Sequence, residues 1–194
     1  RWAGSLCFGD VVCLCVSRVF VSKKILGVFV PEFVNYVKNM KIGDPSSDDS
    51  ELGALVSFAH RDQVESYIHF AQREGGEILC GGKSPDLDSP YDKGAFLEPT
   101  IVSGLSHLSR TATEEIFGPV VTIHSFESDK EAIEMANCTD YGLAGSVWTG
   151  NSERGMRVAE KMETGMVWVN TWLHRDLRVP FGGIKNSGVG REGG

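Results

Sequence analysis

The sequence predicts an α/β fold, a mostly parallel sheet with helices on both faces. Three observations lead there. The apolar segments around Val120–Phe126, Ala144–Thr149 and Met166–Asn170 are runs rather than strict alternations, as strands buried on both faces require. Helical patterns separate them, so the order reads strand, helix, strand, helix, strand. The 194 residues, 41% of them hydrophobic, are enough for one substantial core with room for a smaller lobe.

Taken in order, Ser17 to Val21 reads as a strand running into a helix. Ile25, Phe29, Phe33 and Val37 fall at steps of four and share one face. Pro31 interrupts that pattern and lacks a backbone donor, which predicts a kink or a restarted helix. Gly43 to Ser50 is a loop of turn formers. Val64, Tyr67, Ile68 and Ala71 mark a second amphipathic helix, stopped by Gly75-Gly76. Glu77 to Cys80 is a short strand, and Gly81 to Ala95 a surface excursion rich in Gly, Pro, Asp and Ser. Pro99 to Val102 is extended.

Val120 to Phe126 is the clearest strand. Ser128 and Glu131 after it have capping-box spacing for a helix. Ala144 to Thr149 is a further strand. Asn151 is placed to cap a helix carrying Met156, Ala159 and Met162, ended by Gly165. Met166 to Asn170 is the last buried strand. Clefts in such sheets lie at the carboxyl ends of strands, which puts Asn170 and the loop after it where ligands bind.

Composition excludes several functions. A net charge of −7 with interspersed signs argues against nucleic acid or an anionic membrane as partner. No apolar run approaches the roughly 18 residues of a membrane span, and Arg1 to Phe8 lacks the apolar core of a signal peptide. The five cysteines, Cys7, Cys13, Cys15, Cys80 and Cys138, are odd in number and irregularly spaced, poor material for a disulfide framework. Cys13 and Cys15 have no second pair at finger-like spacing, so no metal is expected. These features point to a reducing, cytoplasmic compartment.

Three stretches carry candidate chemistry. Cys13 sits between a polar loop and a β-branched run, and with Cys15 it reads first as plain core and only then as a nucleophile or metal ligand. Glu114 to Pro119 sets two acids and an aromatic beside a Gly-Pro turn. A carboxylate there can accept both hydroxyls of a ribose and the aromatic can hold a flat ring; a solvated acidic loop over a core phenylalanine is the plainer alternative. Trp172 to Arg178 holds two arginines three apart, suited to an anionic group unless they pair with neighbours. His174 beside them reads as structural or exposed. The glycine-dense Pro180–Gly194 lacks G-x-G-x-x-G spacing, so its glycines are read as closely approaching backbone.

Together these stretches resemble a known family. Lys41-Ile42-Gly43-Asp44-Pro45, Leu52-Gly53-Ala54-Leu55, Glu114-Glu115-Ile116-Phe117-Gly118-Pro119, Tyr141-Gly142-Leu143-Ala144, Val167-Trp168-Val169-Asn170 and Pro180-Phe181-Gly182-Gly183 with Lys185, Ser187 and Gly188 recur in that order. The chain resembles the catalytic domain of the NAD(P)-dependent aldehyde dehydrogenases over residues 11–194. Residues 170–178 and 190–194 resemble the muconic semialdehyde branch, which serves tryptophan breakdown and aromatic catabolism.

The resemblance implies an enzyme that oxidises an aldehyde to a carboxylate through a cysteine thiohemiacetal and thioester. Cys13, five residues before Arg18, stands at the offset of the family's catalytic thiol. Glu115 matches the acid that holds the nicotinamide ribose, and Phe117 the aromatic beside the ring. Phe181 and Trp172 would line the substrate tunnel, Asn170 would join them, and Arg175 would pair with a substrate carboxylate; Arg178 is the weaker candidate. NAD is the implied cofactor, with NADP open because the group that tells them apart falls upstream. A small-molecule aldehyde is the implied partner, and the full enzyme a homodimer or homotetramer. The family's cofactor domain, general base and oxyanion asparagine would precede Arg1, and its oligomerisation arm would follow Gly194. A chain without them would turn over little. Residues 1–10 are an atypical segment that does not align with the family's approach to the thiol. Beside this reading stand a non-catalytic fragment serving as a structural or interaction module, and a CoA-acylating relative.

Overall fold

Four strands organise the first part of the computed structural model, which describes residues 13–194. Residues 1–10, set apart in the sequence, and Cys7 lie outside the described residues. Strands β1 (Arg18–Ser22), β2 (Glu77–Cys80), β3 (Thr100–Ser103) and β4 (Val120–Phe126) pair in the order β1-β4-β3-β2. β3 and β4 run parallel, with Ile101 opposite Val121, while β2 closes an edge antiparallel. This is the first of two compact units and ends at Ser125; the second is Phe126–Gly194.

Helices cover both faces of this sheet, and the two-residue period of the strands shows how. Ile101, Val121 and Ile123 point to a cluster with Phe33, Val37 and Met40 of helix α1 (Leu26–Lys38) and the residues just after it. Val102 and Val120 point the other way, to Val64, Tyr67, Ile68 and Ala71 of helix α2 (Phe58–Arg73). Each fully buried Val or Ile is worth about 1.5–3 kcal/mol relative to exposure. That is why α2 holds although most of its other residues are polar.

The sequence signals for α2 are met at both ends. Ser57 Oγ accepts from the His60 amide at 3.1 Å as an N-cap. At the other end Gly75, with φ +90°, donates to Gln72 and Gly76 donates to Ala71, a Schellman closure. For α1 the expectation of a restart at Pro31 is corrected: one helix runs from Leu26 to Lys38 with Pro31 inside it. Pro31 and Gly27, whose carbonyl would have received the missing bond, are both exposed, so water can satisfy that oxygen.

A short helix α3 (Arg110–Thr113), capped by Ser109, leads into β4. The second unit contains α4 (Asp129–Asn137), β5 (Tyr141–Gly142), β6 (Ala144–Val147), α5 (Ser152–Ala159), β7 (Met166–Val169) and β8 (Ile184–Lys185). β6 and β7 pair in parallel across α5, and β5 pairs antiparallel with β8. Ser128 and Asn151 cap α4 and α5 as their positions predict. Glu131 reaches back to the Glu127 amide at 2.7 Å, one residue outside the expected partner.

Helix α5 stops at Ala159 instead of continuing towards Gly165. The Asn137 side chain explains this. It donates to the Lys161 carbonyl and accepts from the Glu163 amide, both at 2.8 Å, so the chain after α5 finds its partners outside a helix. The reading of the late glycines as close backbone holds at Gly182 and Gly183 but not at Gly190, where a Cβ would meet nothing within 4 Å. A Cβ on Gly165 would collide with the Gly182 carbonyl, and one on Gly182 with the Gly190 carbonyl. Among the described residues no helix is long and apolar enough to cross a membrane.

Candidate active site

Cys13 lies in a turn before β1, exposed, with the buried Leu14 anchoring the turn behind it. Cys15 is half-buried. The segment is tied to the sheet at Ser17, whose carbonyl accepts from the Thr122 amide at 2.9 Å. Within this turn Cys13 is exposed while its neighbour Leu14 packs in.

The acidic loop separates its two acids. Glu114 accepts from the Tyr67 hydroxyl at 2.7 Å and from Arg110 Nε at 2.8 Å. Arg110 also lies over the Phe70 ring, 4.5 Å from its centroid. The Tyr67 bond, then Arg110, holds the Glu114 carboxyl below its ordinary range, and the same bond pushes the Tyr67 phenol up. Glu114 is thereby spent on the fold. Ile116 is 4% exposed and packs on α2, while Glu115 and Phe117 on either side of it are exposed. Among the described residues the Glu115 carboxylate has no hydrogen-bond or ionic partner.

In the second unit the residues fall into two groups. Asn170, with φ +55°, continues the β6–β7 ladder with its side chain: Oδ1 accepts from the Thr149 amide and Nδ2 donates to the Thr149 carbonyl, both at 2.8 Å. Trp172 packs edge-on against Trp168, with ring centroids 4.9 Å apart. Its buried indole nitrogen has no hydrogen-bond partner among the described residues. Trp168 Nε1 in turn donates to the His174 carbonyl at 2.9 Å, fixing the loop. Leu173, with φ +54°, sits between them, an unusual backbone for leucine that marks a tightly determined turn.

The other group is Arg175 with Phe181. The guanidinium lies 4.2 Å from the Phe181 centroid and has no carboxylate partner among the described residues. Arg178 differs: it donates to Asp176 in a forked pair, Nε to Oδ1 at 2.9 Å and Nη2 to Oδ2 at 2.5 Å, which lowers the Asp176 carboxyl. The structure therefore brings Arg175 and Phe181 together and ties Arg178 away. Phe181 itself is held by paired backbone bonds with Glu192, both 2.7 Å.

The motif residues Tyr141, Lys185 and Ser187 serve the frame. Lys185 Nζ donates to the Asn137 and Thr139 carbonyls and pairs with Glu163 at 2.7 Å, while Ser187 Oγ accepts from the Gly142 amide. Sequence reasoning missed His60, whose Nε2 lies 2.7 Å from the Phe117 carbonyl. The contact spans 57 residues, so nothing local to either position signals it.

The first unit thus carries an exposed cysteine and, beside an exposed aromatic, a loop carboxylate without a partner among the described residues; the second, by itself, carries an arginine stacked on a phenylalanine. The comparisons with known proteins supply the family. The aldehyde dehydrogenase family model matches residues 3–194. A 2-aminomuconic 6-semialdehyde dehydrogenase of Pseudomonas sp is 46% identical over 183 residues, covering 94% of this chain and 37% of that protein. A 2-hydroxymuconic semialdehyde dehydrogenase of Pseudomonas putida is 45% identical over 94% of this chain and 38% of its own length. A betaine aldehyde dehydrogenase of Staphylococcus aureus, solved with NAD+, superposes with a TM-score of 0.93 at 41% identity, over 99% of this chain and 38% of that one. This chain belongs to the aldehyde dehydrogenase family, and it spans a little over a third of the length of these relatives.

Proposed function

We propose that the protein oxidises an acidic semialdehyde of the muconic type to its carboxylate with NAD, using Cys13 as the nucleophile. The observation that carries the substrate class is the Arg175 guanidinium, stacked on Phe181 and left without a carboxylate while Asp176 is consumed by Arg178. A guanidinium so placed takes a carboxylate by forked, charge-assisted bonds.

The chemistry follows from a thiol. The Cys13 thiolate adds to the aldehyde carbon, forming a C–S bond and a thiohemiacetal. Loss of hydride from that carbon leaves a thioester, and water then cleaves the C–S bond to give the acid and return the thiol. NAD, when bound, supplies the hydride acceptor. Glu115 and Phe117 fit that group, since a carboxylate without a partner can accept the two ribose hydroxyls and an exposed ring can lie against the nicotinamide. Structures of the Staphylococcus aureus relative include one with NAD+ and a BME-modified cysteine, in keeping with a reactive thiol there. The same reading makes the full enzyme a cytoplasmic homodimer or homotetramer.

NADH formation by the full enzyme that contains this chain tests the reading. Cys13→Ala should abolish it with a muconic-type semialdehyde, and normal turnover would refute the thiol mechanism. Removing a charge-assisted bond costs about 1.5–3 kcal/mol. Arg175→Ala should therefore raise KM for acidic aldehydes by about 10- to 100-fold and leave neutral ones nearly unchanged. Equal effects on both would refute the carboxylate role.

A further inference from the structure

Phe117 has φ +56°, a conformation that costs an aromatic residue and persists only where its surroundings over-determine it. The residue is nonetheless 43% exposed and belongs to neither core cluster. The loop is pinned on both sides. Ile116 is buried before it, and after it Gly118 lies so close to α2 that a Cβ would stand 2.6 Å from Val64. His60, in the first turn of α2, touches Phe117 itself.

Two contacts join them. His60 Nε2 is 2.7 Å from the Phe117 carbonyl, and the rings meet edge-on, centroids 6.4 Å apart at 64°. A carbonyl only accepts, so Nε2 carries the hydrogen and donates. His60 is located in turn by the Ser57 cap on its own amide. One residue therefore sets both the peptide plane and the ring of Phe117.

We propose that His60 is a positioning residue for the cofactor: it holds Phe117 in its left-handed conformation with the ring turned out to meet the nicotinamide. The inference rests on Glu115 and Phe117 being the nicotinamide-ribose contact. It assigns His60 no proton transfer and no contact with substrate.

The test is the dissociation constant for NAD, measured by calorimetry on the full enzyme, with KM values alongside. His60→Phe keeps an aromatic edge and removes the donor; losing one hydrogen bond's worth of order should weaken NAD binding about 3- to 10-fold. KM for the aldehyde should stay unchanged. His60→Gln, whose amide nitrogen has a reach similar to Nε2, should restore NAD affinity to within about twofold. Wild-type affinity in a folded His60→Phe protein would overturn the proposal. If that variant does not fold, His60→Ala and His60→Gln decide it: equal NAD affinity in the two overturns it, and loss only in His60→Ala supports it. Phe117→Ala separates the two levels of the argument. Unchanged NAD affinity there would overturn the cofactor reading together with the role of His60. Weakened affinity there, with none in His60→Phe, would overturn the role of His60 alone.

Discussion

Adjacent carboxylates at 114 and 115 have different surroundings: one faces Tyr67 and Arg110, the other solvent. Tyr67 is 8% exposed and its hydroxyl ends on Glu114, so Tyr67→Phe should cost about 1 kcal/mol of unfolding free energy with little change in NAD affinity. Glu115→Gln should do the reverse, leaving the denaturation midpoint in place and weakening NAD. A variant pair that moved both properties together would show that the two acids share one role. The residues alone left the acidic loop open between ribose binding and simple exposure, and the resemblance chose Glu115. Neither could show Tyr67, since a contact 47 residues apart in sequence leaves no local pattern, whereas Arg110 pairs with Glu114 at the local i,i+4 spacing.

Among the elements, periodicity and capping were the legible signals. The four residues expected to face the core on α2 are its buried ones, and Ser128 and Asn151 cap where their positions require. What local reading cannot see is competition from distant groups, such as the Asn137 amide that ends α5 early. Pro31 shows the limit of a propensity rule: the bond it removes would end on an exposed carbonyl, so packing of Phe33 and Val37 outweighs the loss. The loss is still real. Pro31→Ala should therefore raise stability by about 2 kcal/mol, less the entropy the proline removes from the unfolded chain. Unchanged denaturant midpoints would mean that α1 gains nothing from the restored donor. Gly118→Ala argues the opposite case. Its Cβ would press on Val64, an overpacking cost of about 1–3 kcal/mol, and it should also weaken NAD by lifting Phe117 from His60.

At the scale of the molecule, the division after Ser125 was not legible, because the boundary falls at the end of a strand with no linker composition to announce it. The sheet of the first unit carries a second hidden feature. His124 lies on β4, the strand between β1 and β3, and is 6% exposed. Its ring lies 5.6 Å from that of Phe20, and Nε2 lies 3.0 Å from Thr122 Oγ1. Burial, then the positive charge of Arg18, lowers its pKa from 6.5 to about 4. The unfolded chain therefore takes up a proton on this residue near pH 6.5 while the folded chain refuses it until about pH 4. The unfolded state binds more protons across that window, so stability rises with pH there and falls on acidification. Between pH 7 and pH 5 the loss from this one residue should be about 2 kcal/mol. That interval lies above the range of Glu114, Asp129 and Asp176, whose carboxyls are held below their ordinary values. Guanidinium unfolding at the two pH values measures it, and His124→Phe should remove that share of the slope. An identical pH dependence in the variant would mean that His124 is protonated as readily in the folded sheet as in the unfolded chain.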